Sequence, residues 1–423
     1  MKMVLAKLVV SVTVCILGVW GLRLSDKLSS TKIVLYYGIR LGFMAVYLFA
    51  LNGSYPSDMP GFFEQARRVL GGEIPNRDFL MPYGFFFNYL LALPLLIWNH
   101  PFTIVILFSV MECCGILMIR KALAKLTVDI ALVNKSIILY LCSPIVVQCL
   151  WLGVQDEALQ VTLVGILLLL YALNKSNMVV IFSVIGMAIT KIFSSWLVAP
   201  FLVTYKNKKW YLFLLITAVF YFTLILFDIK IISSVFERLD GGDVLEKLIT
   251  AGNIWYFVKL VFGSVPNYFP EILVLVSFCM IMVFCFSGYN GEKFTRENFS
   301  NIILPMLILF PFAFNIFYKM TFITYISYAI PFISLFMLKN ASRTANVIYL
   351  VWAVLYSVND TFCYRILYHP MSTRLVALTT LYEGLLVVIS IYLCVVVVRH
   401  FVRQGYSLKS GFVKMRAQLV NFK

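Results

Sequence analysis

Apolar runs separated by short polar interruptions recur along almost the entire chain. Because a helix needs about 20 apolar residues to cross the hydrocarbon of a bilayer, each long run is a candidate membrane span. The candidate spans are 3–21, 33–51, 102–119, 136–152, 158–173, 178–190, 192–204, 210–227, 271–288, 301–318, 321–337, 345–358 and 376–398. Lys191 interrupts what could be one kinked element, so we expect about 11 to 13 spans. The pattern predicts an all-α, polytopic transmembrane helical protein.

The amino-acid composition also indicates a membrane protein. Of the 423 residues, 62% are hydrophobic and 13% are charged, which is more apolar than a water-soluble core of this size can hide. No long polar stretch suggests a separate soluble domain, so residues 1–423 are predicted to form a single membrane-embedded domain. Residues 3–21 offer no convincing small-residue cleavage site and are interpreted as a retained helix. The nine cysteines show neither a disulfide framework nor metal-ligand spacing.

The charge pattern predicts an orientation. The net charge is +16, but the basic residues are scattered among short loops, unlike the patch of a nucleic-acid binder. The positive-inside rule makes their face cytoplasmic, including the basic tail 399–423. Most acids and the two longest loops, 52–101 and 228–270, then lie outside. We therefore expect a site on the extracytoplasmic or lumenal side of a plasma (inner) or endoplasmic reticulum membrane.

The first outer loop has two predicted interfacial helices. One begins after Ser57 or Asp58 and ends at Gly71, and the other covers the apolar, aromatic run 83–98. Asp58 has two interpretations. It could cap the first helix, or it could act as a general base, because a carboxylate at the membrane–water boundary can accept the proton of an attacking hydroxyl.

This loop resembles that of the GT-C-fold integral membrane glycosyltransferases, which use dolichyl- or polyprenyl-phosphate sugar donors, mannosyltransferases among them. The matching residues are Ser57-Asp58, Phe62 or Phe63, Ala66-Arg67, Leu70-Gly71-Gly72, Pro75, Arg77-Asp78-Phe79, Pro82-Tyr83 and Leu90-Leu91-Ala92-Leu93-Pro94. The resemblance implies that Asp58 is the catalytic acid–base residue and that Arg67 or Arg77 lies near the donor phosphate. The chain departs from the family at Asn76, usually tyrosine, and at Tyr83-Gly84, usually a proline pair.

A second segment, Trp151–Leu159, is similar to a G-Q-x-[DE]-A-L pattern of the same family and adds Asp156 and Glu157 to the outer face. These acids could cap the helix that follows. Together with Asp58 they could instead frame an acceptor site or bind a divalent cation such as Mg²⁺ or Mn²⁺. Asp78 is a further candidate for such a site.

Two lysines complete the candidate site. Lys191 stands between apolar stretches, where a cation is costly unless it has a partner or snorkels to the membrane surface. Lys319 occupies an outer turn between two spans. The resemblance implies that both contact the lipid phosphate. In the loop 228–270, Trp255, Tyr256 and Phe257 predict another interfacial helix that anchors at the headgroups.

These features predict a hexosyl or pentosyl transferase that moves a monosaccharide from a polyprenyl-phosphate carrier to the hydroxyl of a glycan, lipid or protein in a cell-envelope type of pathway. Asp58 would remove the hydroxyl proton, while Lys191, Lys319, Arg67 and Arg77 hold the donor phosphate. A single displacement implies inversion at the anomeric carbon.

Two other functions fit a protein of this type. A lipid-linked saccharide flippase or transporter is expected to show inverted repeats around a midplane site, but the internal acids Glu112 and Glu383 form no evident pathway. A membrane glycan polymerase would transfer a whole glycan and would also have large outer loops. No Ser-His-Asp set, nucleotide phosphate loop or zinc spacing can be assembled.

Overall fold

The computed structural model describes most of the chain. The described residues are 2–55, 58–79, 83–127, 129–190, 198–201, 209–227, 252–263, 265, 268–289, 296–318, 323–359 and 373–420. Nearly all of them are helical, and no strand occurs among them. The prediction of an all-α protein is confirmed.

Most helices follow the predicted apolar runs to within a few residues. The helices are α1 Lys2–Gly21, α2 Ser30–Ala45, α3 Met59–Leu70, α4 Phe87–Leu95, α5 Phe102–Leu126, α6 Ile130–Leu141, α7 Glu157–Ala172, α8 Ser176–Ile189, α9 Lys209–Leu226, α10 Trp255–Phe262, α11 Phe269–Phe286, α12 Leu304–Phe317, α13 Ile330–Asn340, α14 Arg343–Ser357, α15 Thr373–Arg403 and α16 Leu408–Val420. Helix α5 ends seven residues later than predicted, α6 covers 130–141 where 136–152 was predicted, and the predicted span 192–204 lies mostly outside the described residues. Side-chain caps fix several starts. Ser29, Asp129 and Ser342 accept hydrogen bonds from the backbone N–H groups of the first turns of α2, α6 and α14.

Six helices among the described residues are long and apolar enough to cross a membrane. They are Leu5–Lys27, Ser30–Ala50, Phe102–Leu126, Phe269–Phe286, Arg296–Phe317 and Val376–Arg403. A seventh span could be formed by Ile130–Leu141 with Pro144–Trp151, which are bent by 42° at their junction. The protein is therefore a multi-pass helical membrane protein, while the number of 11 to 13 spans and their orientation stay predictions.

The first outer loop contains the two short helices expected from its sequence, α3 and α4. At 1.5 Å per residue, the nine residues of α4 extend only about 14 Å, which is too short to cross the hydrocarbon. Their position at the membrane surface stays a prediction.

The chain divides into two compact units. The Asp58 unit comprises Lys27–Val128 and Leu150–Asp240, and the Glu383 unit comprises Met1–Asp26, Asp129–Cys149 and Gly241–Lys423. Each unit is assembled from segments that are far apart in sequence. The description as a single embedded domain stays a prediction at the level of the whole chain.

Helices α5 and α7 pack closely in the Asp58 unit because two glycines face each other. A methyl group added to Gly115 would lie 2.8 Å from the Cα of Thr162, and one added to Gly165 would lie 2.5 Å from the carbonyl oxygen of Gly115. The Thr162 hydroxyl donates to the carbonyl oxygen of Met111 at 2.7 Å. Small residues thus let the two backbones approach, as is common between membrane helices.

A buried ion pair joins α2 to α5. The two guanidinium NH₂ groups of Arg40 donate to the two carboxylate oxygens of Glu112, each at 3.1 Å, and the Tyr37 hydroxyl donates to Glu112 Oε1 at 2.8 Å. The side chains of Arg40 and Glu112 are 2% and 1% exposed. Removing one partner of such a pair typically costs about 3–5 kcal/mol, because the other charge stays buried. Glu112 therefore has a structural partner that explains its position within the apolar run.

The predicted headgroup anchors in the Glu383 unit are buried. Helix α10 forms where expected, but Trp255 and Tyr256 are only 2% and 8% exposed. The Trp255 indole N–H donates to the carbonyl oxygen of Phe317, and the Tyr256 and Thr380 hydroxyls are 3.3 Å apart. The prediction that these two aromatics anchor at the membrane surface is wrong, because tertiary packing covers them. The exposed end of α10 is Leu260–Phe262.

Candidate functional site

The Asp58 carboxylate lies at the start of α3 but does not cap it. The backbone carbonyl of Asp58 accepts from the N–H of Phe62 at 3.0 Å, whereas its side chain makes no capping hydrogen bond. The side chain of Asp58 is exposed. The interpretation of this carboxylate as a helix cap is wrong, which leaves it available for another partner.

That partner is Gln155, which belongs to the second predicted motif. Gln155 Nε2 donates to Asp58 Oδ2 at 2.7 Å, although the two residues are 97 positions apart in the sequence. The same amide nitrogen lies 3.3 Å from the carbonyl oxygen of Gly153, which helps to orient it. Among the described residues no hydrogen bond reaches Asp58 Oδ1. The structure therefore brings the two motifs together and holds one oxygen of the carboxylate.

The turn that presents Gln155 has an unusual backbone. Val154 has a φ of +47° and is only 2% exposed. A β-branched residue rarely adopts this left-handed conformation, which costs about 1–3 kcal/mol and persists only where the surroundings enforce it. Burial of the Val154 side chain supplies that constraint. Gln155 beside it is half-buried, while the next two residues, Asp156 and Glu157, are buried.

Asp156 interacts with the end of the first outer loop. The Tyr83 hydroxyl donates to Asp156 Oδ1 at 3.3 Å, and Asp156 is 2% exposed. The Tyr83 ring stacks on Phe87 with the ring centroids 3.9 Å apart and meets the Phe62 ring edge-on. Asp156 directly precedes α7, but its side chain makes no capping hydrogen bond, so the cap interpretation is wrong for this residue too. Glu157, the first residue of α7, is fully buried.

Tyr83 and Gly84, which stand where the resembling family usually has a proline pair, both make contacts that proline would not make. Gly84 N–H donates to the carbonyl oxygen of Thr190 at 2.8 Å, and a proline has no N–H group. A methyl group on Gly84 would lie 2.5 Å from the backbone of Ala188. Phe86 N–H adds a second bond, to the carbonyl oxygen of Ala188, at 2.8 Å. The end of the first outer loop is thus fastened to the end of α8.

Arg77 and Arg67 interact with neighbouring residues of the same loop. The Arg77 guanidinium donates to both oxygens of Asp78, each at 3.0 Å, and the Ile74 N–H donates to Asp78 Oδ2 at 2.7 Å. These bonds, the one from Arg77 first, lower the pKa of Asp78. Arg67 is exposed and lies 5.8 Å from the Phe63 ring. Any contact of Arg67, Arg77 or Asp78 with a substrate stays a prediction.

Arg68, which no sequence motif singles out, organises this loop. Arg68 Nε donates to Glu73 Oε2 at 2.7 Å, and its NH₂ group donates to the carbonyl oxygen of Asp78 at 3.1 Å. Its guanidinium also lies 4.4 Å from the centre of the Phe79 ring. Arg40 was not predicted from the sequence either, although opposite charges in two separate apolar runs, at positions 40 and 112, are a signal of an intramembrane pair.

The remaining predictions concern two lysines and a possible metal site. Lys191 and Lys319 lie outside the described residues. Within the described part of the chain, no three His, Cys, Asp or Glu side chains are grouped closely enough to hold a metal ion. Mg²⁺ is commonly bound by only one or two carboxylates together with substrate phosphates, so binding of Mg²⁺ or Mn²⁺ by Asp58, Asp156 or Glu157 stays a prediction, and no chemical step is assigned to a metal.

Comparison with known proteins does not establish a family for this chain. No protein-family model matches the sequence, and no curated protein matches it. Among solved structures, the cryo-electron microscopy structure of the arabinofuranosyltransferase AftD from mycobacteria is similar, with 13% sequence identity and a TM-score of 0.33. The match covers 80% of this chain and 27% of AftD, so the chain spans about a quarter of that protein's length. A structural similarity this weak does not indicate an activity for this chain.

Proposed function

We propose that this membrane protein is a glycosyltransferase that moves a monosaccharide from a polyprenyl-phosphate carrier to an acceptor hydroxyl at the outer membrane face. Asp58 is its general base. The observation that carries the proposal is the hydrogen bond from Gln155 to Asp58, which orients an exposed carboxylate and leaves Oδ1 facing no described hydrogen-bond donor. The sequence resemblance of both segments to one family of transferases supports the same assignment.

In the proposed reaction, Asp58 accepts a proton while the sugar is transferred in a single displacement. The acceptor O–H donates to Asp58 Oδ1, and the proton moves to the carboxylate as the acceptor oxygen attacks the anomeric carbon. The bond between the anomeric carbon and the phosphate oxygen breaks at the same time, so polyprenyl phosphate leaves with the electron pair. One displacement inverts the configuration at the anomeric carbon.

Cations stabilise the leaving phosphate in this proposal. Arg67 and Arg77 lie on the same loop as Asp58, and Lys191 and Lys319 are the two lysines that the sequence pattern assigns to this role. Negative charge grows on the phosphate in the transition state, and fixed positive groups lower the barrier there. The mannosyl group is the first sugar to test, because mannosyltransferases belong to the resembling family.

Substituting Asp58→Asn tests the proposed base. Purified protein in lipid nanodiscs would be incubated with polyprenyl-phosphate monosaccharides, including mannose and a pentose, and release of polyprenyl phosphate would be measured. We expect Asp58→Asn to lower the rate by about 10²–10⁴-fold while the protein folds normally. Glu64→Gln is the matched control, because Glu64 is an exposed acid on α3 and should keep full activity. Full activity of Asp58→Asn would reject the proposed base.

The same assay separates the rival functions. A flippase would move the intact lipid-linked saccharide across the membrane without releasing polyprenyl phosphate. A polymerase would release the carrier together with transfer of a whole glycan and would not act on monosaccharide donors. Either outcome in the wild-type protein would replace the proposal.

A further inference from the structure

The C-terminal helix α16 is basic and follows the last span directly. Helix α15 ends at Arg403, and a short turn through Gly405, with a φ of +89°, leads into α16 at Leu408. No Asp or Glu occurs after Glu383 in the sequence. The charged side chains of this segment are therefore all basic, and the turn separates it from the last candidate membrane span.

Contacts fasten α16 to the ends of neighbouring spans in the Glu383 unit. Lys414 Nζ donates to the carbonyl oxygen of Ser287, the residue after α11, and to that of Tyr289 at 2.9 Å. Gly411 approaches the backbone of Val283 so closely that no side chain would fit. Nearby, the Tyr406 hydroxyl donates to the carbonyl oxygen of Asn301 at 3.3 Å. The candidate membrane spans Phe269–Phe286 and Val376–Arg403 both end beside α16. A helix that crosses a bilayer ends near its surface, so we expect α16 to lie at the level of one membrane surface.

The side of α16 opposite these contacts exposes apolar and basic residues together. Phe412 and Val413 are 58% and 63% exposed, and Lys409 and Arg416 are also exposed. Spacings of three and four residues place these side chains on one face of a helix. If this face lay in the hydrocarbon, burying the charges of Lys409 and Arg416 would be unfavourable. If it lay in water, exposing the Phe412 and Val413 side chains would be unfavourable. The mixture of apolar and basic residues is the composition of a helix in the headgroup region.

We infer that this face of α16, defined by Leu408, Lys409, Phe412, Val413 and Arg416, binds the surface of a membrane leaflet rich in anionic lipids. Phe412 and Val413 enter the boundary between headgroups and acyl chains, while Lys409 and Arg416 contact lipid phosphates. Charge complementarity favours anionic lipid as the binding partner, because a basic segment without acidic residues is attracted to a negatively charged surface. The inference does not depend on the proposed transferase activity.

Hydrogen–deuterium exchange of the full-length protein in nanodiscs tests the inference. Exchange over 408–416 would be compared in phosphatidylcholine alone and in phosphatidylcholine mixed with phosphatidylglycerol. We expect exchange about fivefold slower or more in the anionic nanodiscs, and a smaller difference at high salt. The variant Lys409→Gln/Arg416→Gln should lose the dependence on phosphatidylglycerol, and Phe412→Ser/Val413→Ser should exchange faster in both lipids.

The control variant Lys121→Gln/Lys175→Gln removes two exposed charges elsewhere and should respond to phosphatidylglycerol as the wild type does. Unchanged exchange in α12 and α14, which belong to the same unit as α16, shows that a variant is folded. Equal exchange of 408–416 in both lipids for the wild type would overturn the inference. So would protection that rises with protein concentration in phosphatidylcholine alone, because a second copy would then cover this face.

Discussion

At Asp58, a hydrogen bond from a distant residue orients the carboxylate. A carboxylate at the first position before a helix commonly caps it, and such a residue has a structural role only. Here Gln155 holds one oxygen of Asp58 instead, and the strained Val154 fixes the turn from which Gln155 reaches it. Tyr83 fixes Asp156 next to that turn. Four side chains from two other segments thus form the surroundings of a single exposed acid.

Substituting Gln155→Leu tests whether orienting the Asp58 carboxylate contributes to the rate, separately from the role of Asp58 as a base. Loss of the amide leaves Asp58 ionisable but less well oriented, so we expect kcat to fall about tenfold to hundredfold with little change in KM. The loss should be smaller than for Asp58→Asn, whose base is absent. Gln404→Leu, which alters an exposed glutamine in the Glu383 unit, is the control. Wild-type kcat in Gln155→Leu would show that the hydrogen bond has no part in catalysis.

Among the helices, two kinds of contact hold the Asp58 unit together. The glycine contact of α5 with α7 allows close packing, and the Arg40–Glu112 pair joins α2 to α5. In lipid, helices gain little from burying apolar surface, so packing and polar contacts carry more of their association. Because α7 begins at Glu157, its position against α5 also sets that of the turn carrying Gln155.

Substituting Gly165→Ala should therefore destabilise the protein. The new methyl group would overlap the Gly115 carbonyl, and overpacking of this kind costs about 1–3 kcal/mol. Gly38→Ala in α2 is the matched control, because nothing lies within 4 Å of its added methyl group. There the higher helix propensity of alanine should leave stability unchanged or raised by up to about 1 kcal/mol. Thermal unfolding in nanodiscs measures both; equal melting temperatures would contradict the packing described.

For the whole molecule, function depends on which side of the membrane each segment faces. The distribution of Lys and Arg predicts that the first outer loop lies outside and that the tail from Arg399 lies inside. The proposed activity needs this orientation, because its donor and acceptor meet at the outer face. The lipid-binding face of α16 would then contact the cytoplasmic leaflet, which carries more anionic lipid.

Cysteine labelling in intact cells measures this orientation. A membrane-impermeant maleimide should label Ser54→Cys without permeabilisation and Ser407→Cys only after it, because both positions are exposed and are predicted to lie on opposite sides. The wild-type chain gives the background from its native cysteines. If Ser54→Cys reacts only in permeabilised cells, Asp58 faces the cytoplasm and an outer-face transferase is excluded.

Much of the fold was predictable because it depends on local patterns. Apolar runs such as 158–173 and 271–288 correspond to α7 and α11, and the turn residues around Asp58 and Gly71 mark the ends of α3. The acids at positions 58 and 156 were identifiable for the same reason. The role of Trp255 was not predictable, since an aromatic residue near a membrane surface can face lipid or protein, and only packing decides between them.

The sequence alone determined that this is a multi-pass helical membrane protein and which residues are its chemical candidates, because hydropathy and helix boundaries are local properties of a chain. Only the tertiary structure decided how those candidates are used. Gln155 meets Asp58 across 97 positions and Arg40 meets Glu112 across 72. Such pairs depend on how helices pack, and no local pattern records which distant side chain will lie within hydrogen-bonding distance.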